Sequence, residues 1–133
     1  GVVDGVYSPT VGKTRGTGVR LRFKYSFQNE MGGKTGTTQN QSDGWFMGIT
    51  PNLVSGVWTG CEDRSAHFRD IYYGQGANMA LPVYAEYLQR VYADTLETGI
   101  YPIDFDIPKA VDLRLDCGEA TNSIGADEFD EEF

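Results

Sequence analysis

Pro51-Asn52 divides two apolar runs, and that division constrains the chain more than any other feature of its sequence. Gly44-Trp45-Phe46-Met47-Gly48-Ile49-Thr50 precedes it, and Leu53 to Cys61, with Val54, Val57 and Trp58, follows it. Both runs have strand length and are rich in aromatic and β-branched residues, and the two-residue gap directs them into an antiparallel hairpin. The first run is apolar on both faces, because Trp45, Met47 and Ile49 alternate with Phe46. A sheet with two apolar faces needs two covers. One cover is legible downstream. Ala77, Leu81, Tyr84, Leu88 and Val91 fall on one stripe of a helix, expected to start near Met79 or Ala80 and to end near Asp94, with Pro82 in its first turn.

Upstream, Val19 to Phe27 alternates apolar and polar residues, the pattern of a strand with one buried face. Gln28-Asn29-Glu30 reads as a turn, and Met31 to Thr38 as a second, Gly- and Thr-rich strand. Residues 1–18 read as an irregular lead-in, residues 62–76 as a polar loop, and Val111 to Leu115 as one more short strand. The expected class is α+β: a small antiparallel sheet packed with a C-terminal helix over residues 1–94, followed by an irregular acidic tail over 95–133.

Charge separates these regions. The net charge is -8, but residues 1–50 carry +3, residues 51–94 carry -2 and residues 95–133 carry -9. No basic patch survives that balance, so nucleic acid is not an expected partner. No apolar run approaches the roughly 18 residues of a membrane span, and no signal peptide opens the chain. Cys61 and Cys117 do not make a disulfide framework. A single histidine, His67, and no C-x-x-C pair argue against structural zinc; no cofactor is expected.

Chemistry concentrates at Gly32-Gly33-Lys34-Thr35-Gly36-Thr37-Thr38. A phosphate-binding P-loop requires a glycine five residues before its Gly-Lys-Thr. Gly33-Lys34-Thr35 has Gln28 there, and the second Gly-Lys-Thr, residues 12–14, has Tyr7. Neither candidate has the required preceding strand and following long helix. The other reading is the Lys-Thr-Gly strand of serine acyl-transfer enzymes, which accompanies S-x-x-K and S-D-N motifs. Around it, Gly-Lys-Thr-Gly-Thr-Thr-Gln and then Asp43 to Pro51 form a continuous block. Gly56-Val57-Trp58, Glu62-Asp63-Arg64, Gly74-Gln75-Gly76 and Ala80-Leu81-Pro82 extend it, and Arg15-Gly16-Thr17-Gly18 precedes it. Across residues 15–94 this resembles the transpeptidase domain of class A, bifunctional penicillin-binding proteins; the last 39 residues are outside the resemblance.

The resemblance implies a β-lactamase/transpeptidase-like fold and a peptidoglycan D,D-transpeptidase parent in the cell envelope, on the extracytoplasmic side of the membrane. Its partners would be D-Ala-D-Ala stem peptides and β-lactams, with a glycosyltransferase domain, a membrane anchor and any targeting segment expected upstream. The Thr37 N–H would be one oxyanion-hole donor, and Lys34 would add positive charge. The hydroxyls of Thr35 and Thr37 would hold the substrate carboxylate, with Gly36 and Thr38 completing the substrate-binding strand.

The departures from the family matter equally. None of Ser8, Ser26, Ser42, Ser55, Ser65 and Ser123 has lysine three residues on, and no Ser-x-Asn triplet occurs. Thr10-Val11-Gly12-Lys13 has the spacing with threonine only. The nucleophile is absent, and the expectation is a truncated piece that is inactive alone and prone to self-association through its bare sheet face. Two alternatives stay open: a non-catalytic secreted β-rich binding module, and a fragment of a serine β-lactamase-like hydrolase. Weaker candidates are His67 as a general base, Glu62, Asp63, Arg64 and Asp70 as a cation or ion-pair cluster, and Trp45, Trp58, Tyr72 and Tyr73 as a glycan platform. For these the blander readings are a loop histidine, a solvated loop and packed strand tryptophans.

Overall fold

A computed structural model describes residues 6–8, 12–14 and 16–106. Two short strands, β1 (Val6–Ser8) and β2 (Gly12–Thr14), pair antiparallel within the lead-in read as irregular. The main sheet is antiparallel with order β3-β4-β5: β3 spans Gly32–Thr37, β4 Asp43–Thr50 and β5 Leu53–Gly60. Thr50 pairs with Leu53, so Pro51-Asn52 is the whole of the hairpin loop. The Thr50 hydroxyl donates to Asn52 Oδ1 and Leu53 O, both at 3.3 Å, and closes the turn.

Register fixes the faces. Thr35 lies opposite Phe46 and Gly33 opposite Gly48, and Phe46 opposite Val57. Opposed residues share a face, so Gly33, Thr35, Thr37, Gly44, Phe46, Gly48 and Val57 line one side. Helix α4 (Leu81–Ala93) covers that side with Leu81, Tyr84, Ala85 and Leu88, all buried. The expected stripe is observed at Leu81, Tyr84 and Leu88, whereas Val91 is half-buried and Ala77 lies in a separate preceding turn; Pro82 sits in the first turn, where its missing N–H costs nothing. Phe46 and Tyr84 meet at a ring-centroid distance of 4.8 Å. Gly48 makes this possible: a Cβ there would come within 3.0 Å of Tyr84 Cζ and Oη.

The segment Val19–Phe27 is not a strand. It forms one helical turn, α1 (Arg20–Phe23), and then an irregular stretch. Leu21 and Phe27 are buried and Tyr25 is partly buried against the core, whereas Phe23 is 71% exposed. Of the polar members of the alternation, Lys24 and Ser26 are exposed, but Arg20 and Arg22 are half-buried and turn to carbonyls. Arg20 Nη1 donates to Ala77 O at 3.2 Å and to Asn78 Oδ1, and Arg22 Nη1 donates to Phe27 O at 3.1 Å. Guanidinium groups that satisfy carbonyls, across the fold for Arg20 and within the same segment for Arg22, override a weak period-2 signal nine residues long.

Residues 62–76 are not loop throughout. Asp70 caps α2 (Ile71–Gly74) by accepting from the Tyr73 N–H at 3.2 Å, and α3 (Gly76–Met79) follows directly. After α4 comes one turn, α5 (Thr95–Thr98), ended by Gly99 at φ 66°. The chain then runs without helix or strand to Asp106, with a tight turn where the Ile103 N–H donates to Tyr101 O at 2.9 Å, past the end of the sheet where β3 begins. There Asn52 Nδ2 donates to Tyr101 O at 3.3 Å, Glu30 N–H to Asp104 Oδ1 at 2.7 Å, and Phe105 N–H to Glu30 Oε2 at 3.2 Å. The expected strand at Val111–Leu115 lies outside the described residues.

Candidate active site

Among the described residues strand β3 pairs with β4 alone, which leaves its other edge free of any described strand. The Thr38 N–H donates inward to Asp43 O at 3.1 Å. Backbone groups alternate along a strand, so the Thr37 N–H and the Thr35 carbonyl point to the free edge. Lys34 and Thr35 leave opposite faces of the strand, yet the ammonium turns back to that same edge, where Nζ donates to Thr35 O at 2.7 Å. An exposed ammonium and an outward N–H therefore share one strand edge. That pairing can receive developing negative charge or a carboxylate.

The threonines differ in their engagement. The Thr37 hydroxyl accepts from the Gly76 N–H at 3.0 Å. Thr35 Oγ1 is 3.5 Å from Thr17 Oγ1, at the limit of a hydrogen bond. Thr38 Oγ1 lies 3.0 Å from Ser42 Oγ, accepts from the Asp43 N–H at 3.2 Å and donates to Asp43 O at 3.3 Å. These bonds tie the Thr38 hydroxyl into the connection from β3 to β4. Gly36 lies opposite Trp45. Both Gly-Lys-Thr triplets lie on strands, Gly33-Lys34-Thr35 within β3 and residues 12–14 as β2, which is not P-loop geometry.

The weaker candidates are dispersed. His67 is exposed, with Nδ1 3.0 Å from Phe68 O. Asp63 accepts from the Ser65 N–H at 2.9 Å, and that backbone bond holds its carboxyl below the usual range. No group of three or more His, Cys, Asp or Glu that could hold a metal occurs among the described residues. Trp45 and Trp58 lie directly opposite each other, on strands as expected but on the face away from α4. Each is 45% exposed, so packing into the described core is not their role. Tyr72 and Tyr73 are exposed and meet edge to face at 5.0 Å. A cavity of about 470 Å³ lined by Thr59, Cys61, His67, Phe68 and Met79 opens beyond the end of β5 and includes no residue of β3.

Sequence reasoning missed Gly76 as the partner of Thr37. Its signal was present in Gly74-Gln75-Gly76, a doublet of glycines flanking one residue, which reads as a turn until a close backbone contact gives it another use. A Cβ on Gly76 would fall within 3.0 Å of Gly36 O and Trp45 O.

Curated relatives align with most of this chain. It is 33% identical over 118 residues to penicillin-binding protein 1B of Vibrio cholerae, covering 86% of the chain and 14% of the relative. It is 36% identical over 104 residues to penicillin-binding protein 1A of Pseudomonas aeruginosa, covering 77% and 11%. It is 36% identical over 77 residues to penicillin-binding protein 1A of Aquifex aeolicus, covering 57% and 9%. The chain thus spans a small part of each relative's length. No family model matches the sequence, and no solved structure matches it.

Proposed function

Since the chain belongs to the class A penicillin-binding protein family, we propose that it supplies the Lys-Thr-Gly wall of a serine acyl-transfer site in a peptidoglycan D,D-transpeptidase of the cell envelope. The observation that carries this reading is the free edge of β3, where the Lys34 ammonium and the outward Thr37 N–H lie together. A stem peptide can add to that edge as an extra strand, its main chain paired with β3.

The chemistry assigns each group a task. A serine hydroxyl supplied by sequence outside these 133 residues attacks the carbonyl of the penultimate D-alanine and loses its proton to a base. The carbonyl π pair moves onto oxygen, and the Thr37 N–H stabilises that oxyanion as one of two donors. Collapse expels D-alanine, which leaves with a proton on its amine. An amine of a neighbouring stem peptide then attacks the acyl-serine ester, forms the cross-link and returns the serine. Lys34 and the hydroxyls of Thr35 and Thr37 hold the terminal carboxylate, so the scissile bond sits at the donors. A β-lactam carries a carboxylate in a comparable position and acylates the same serine.

The test has two arms. Incubated with a labelled penicillin, the 133-residue chain should show no penicilloyl mass shift by intact-mass spectrometry, because none of its serines heads an S-x-x-K motif. Expressed in one polypeptide with the S-x-x-K and S-x-N segments of a class A relative, it should be acylated stoichiometrically. Lys34→Ala should slow that acylation by about 10- to 100-fold, the worth of a hydrogen bond to a charged group. Acylation of the short chain, or indifference of the longer one to Lys34→Ala, would overturn the assignment.

A further inference from the structure

We infer that Gly76 is a positioning residue for the Thr37 hydroxyl: its N–H occupies a lone pair of Thr37 Oγ1 and thereby turns the O–H outward, as a donor to the substrate carboxylate. The inference rests on the reading of β3 as a carboxylate-binding edge.

A threonine hydroxyl has one proton to give and two lone pairs. Left alone it rotates, and most of its orientations offer a lone pair, which repels an anion. The Gly76 N–H donates to Thr37 Oγ1 at 3.0 Å, so the hydroxyl proton cannot point toward Gly76. Two directions remain for the proton, and a carboxylate at the edge of β3 draws it into the one that faces the anion. The bond therefore acts on the charge that the hydroxyl presents and not on where Thr37 stands.

Two further contacts hold the donor in place. Gly76 sits against the paired backbones of Gly36 and Trp45, where a Cβ would come within 3.0 Å of both carbonyl oxygens. The same contact places Met79 beside Gly44, whose own Cβ would meet Met79 Cγ and Sδ at 2.9 Å. From the other side, Arg20 Nη1 donates to Ala77 O at 3.2 Å and to Asn78 Oδ1, and Ala77 and Ala80 are buried. The Gly76 N–H is clamped between the sheet and α1, and no side chain larger than hydrogen fits without moving it.

The test uses the 133-residue chain, nuclear magnetic resonance and two probes, N-acetyl-D-Ala-D-Ala and its methyl ester. The acid is expected to bind at millimolar level and about 10-fold more tightly than the ester, as a charged acceptor warrants. Thr37→Val should reduce that preference to what Lys34 and Thr35 sustain, shift the Gly76 amide upfield and speed its exchange, while Thr37→Ser restores all three. Gly76→Ala should lose as much of the preference as Thr37→Val, although it keeps the hydroxyl. A preference reduced by Thr37→Val but untouched by Gly76→Ala would overturn the positioning role alone and leave the carboxylate reading intact. No preference in the parent chain would overturn both. Should Gly76→Ala fail to fold, the amide measurement still decides: a Gly76 resonance unmoved by Thr37→Val shows that the bond is absent and the inference false.

Discussion

The two faces of the three-stranded sheet are built from the same strands and have opposite fates. On the α4 side, one aromatic ring and several glycines do the packing. Phe46 is fully buried, and Gly44 and Gly48 make room for Met79 and Tyr84. On the other side, Trp45, Met47, Ile49, Val54 and Trp58 stand 40–65% exposed, with Lys34 the single charged residue that β3 contributes. Apolarity alone did not decide which face was covered, since the open face carries more apolar bulk than the closed one. Fit decided it: the closed face is recessed at its glycines, and a helix with Tyr84 can enter, whereas the open face is a ridge of large side chains awaiting a complementary surface.

If that contrast is right, substitutions on the two faces should diverge by kilocalories. Phe46→Ala should cost the most, about 3–5 kcal/mol of unfolding free energy, because it leaves a cavity under α4; urea denaturation measures it. Gly48→Val fills a space that Tyr84 already occupies and should cost about 1–3 kcal/mol through forced displacement of the helix.

The same face should also respond to pH. Burial, with Tyr92 nearby as a smaller cause, pushes the Tyr84 phenol up to about 12. A folded-state value above the ordinary one near 10 means that the folded chain favours the neutral phenol. That contribution is complete below about pH 10 and is lost as pH rises toward 12. Thermal melts across pH 9 to 12 should fall in this window, and Tyr84→Phe should flatten the decline.

On the open face, Ile49→Thr or Val54→Thr should change stability least, within about 0.5 kcal/mol. They should instead change behaviour with concentration. An apolar patch of several hundred Å² seeks a partner, so the parent chain is expected to associate across a light-scattering concentration series and to bind a hydrophobic dye, and the threonine variants to do less of both. A parent chain that stays monomeric at high micromolar concentration and binds no dye would refute the contrast.

The parts legible in the sequence are those where local pattern and tertiary demand agree. Pro51-Asn52 set the hairpin, and Leu81, Tyr84 and Leu88 set the buried stripe of the helix, because periodicity there reports the face that is covered. Lys34 to Thr37 read as a strand through their setting in the block and not through their own bulk. The signal failed where side chains work across the fold. The alternation of Val19 to Phe27 disguised a helical turn, since Arg20 serves the distant Ala77 carbonyl and Arg22 the nearby Phe27 carbonyl. The turns at Ile71–Met79 were hidden because they last four residues each and are held by Asp70 and by contact with the sheet. The Thr37–Gly76 bond joins residues 39 positions apart, and no periodicity encodes it.

The stretch from Tyr101 to Asp106 has a mechanical meaning. It is fastened to Glu30 by two bonds, one through the Asp104 carboxylate and one through the Phe105 N–H, and to Asn52 by a third through the Tyr101 carbonyl, so a load applied to the chain beyond Asp106 reaches these fasteners before it reaches α4. They share the load near the start of β3, five residues of strand, or about 17 Å, from Thr37. Traction from downstream is therefore grounded at the end of the sheet remote from the Thr37 hydroxyl, and the helix that shapes the covered face is spared it until those three bonds part.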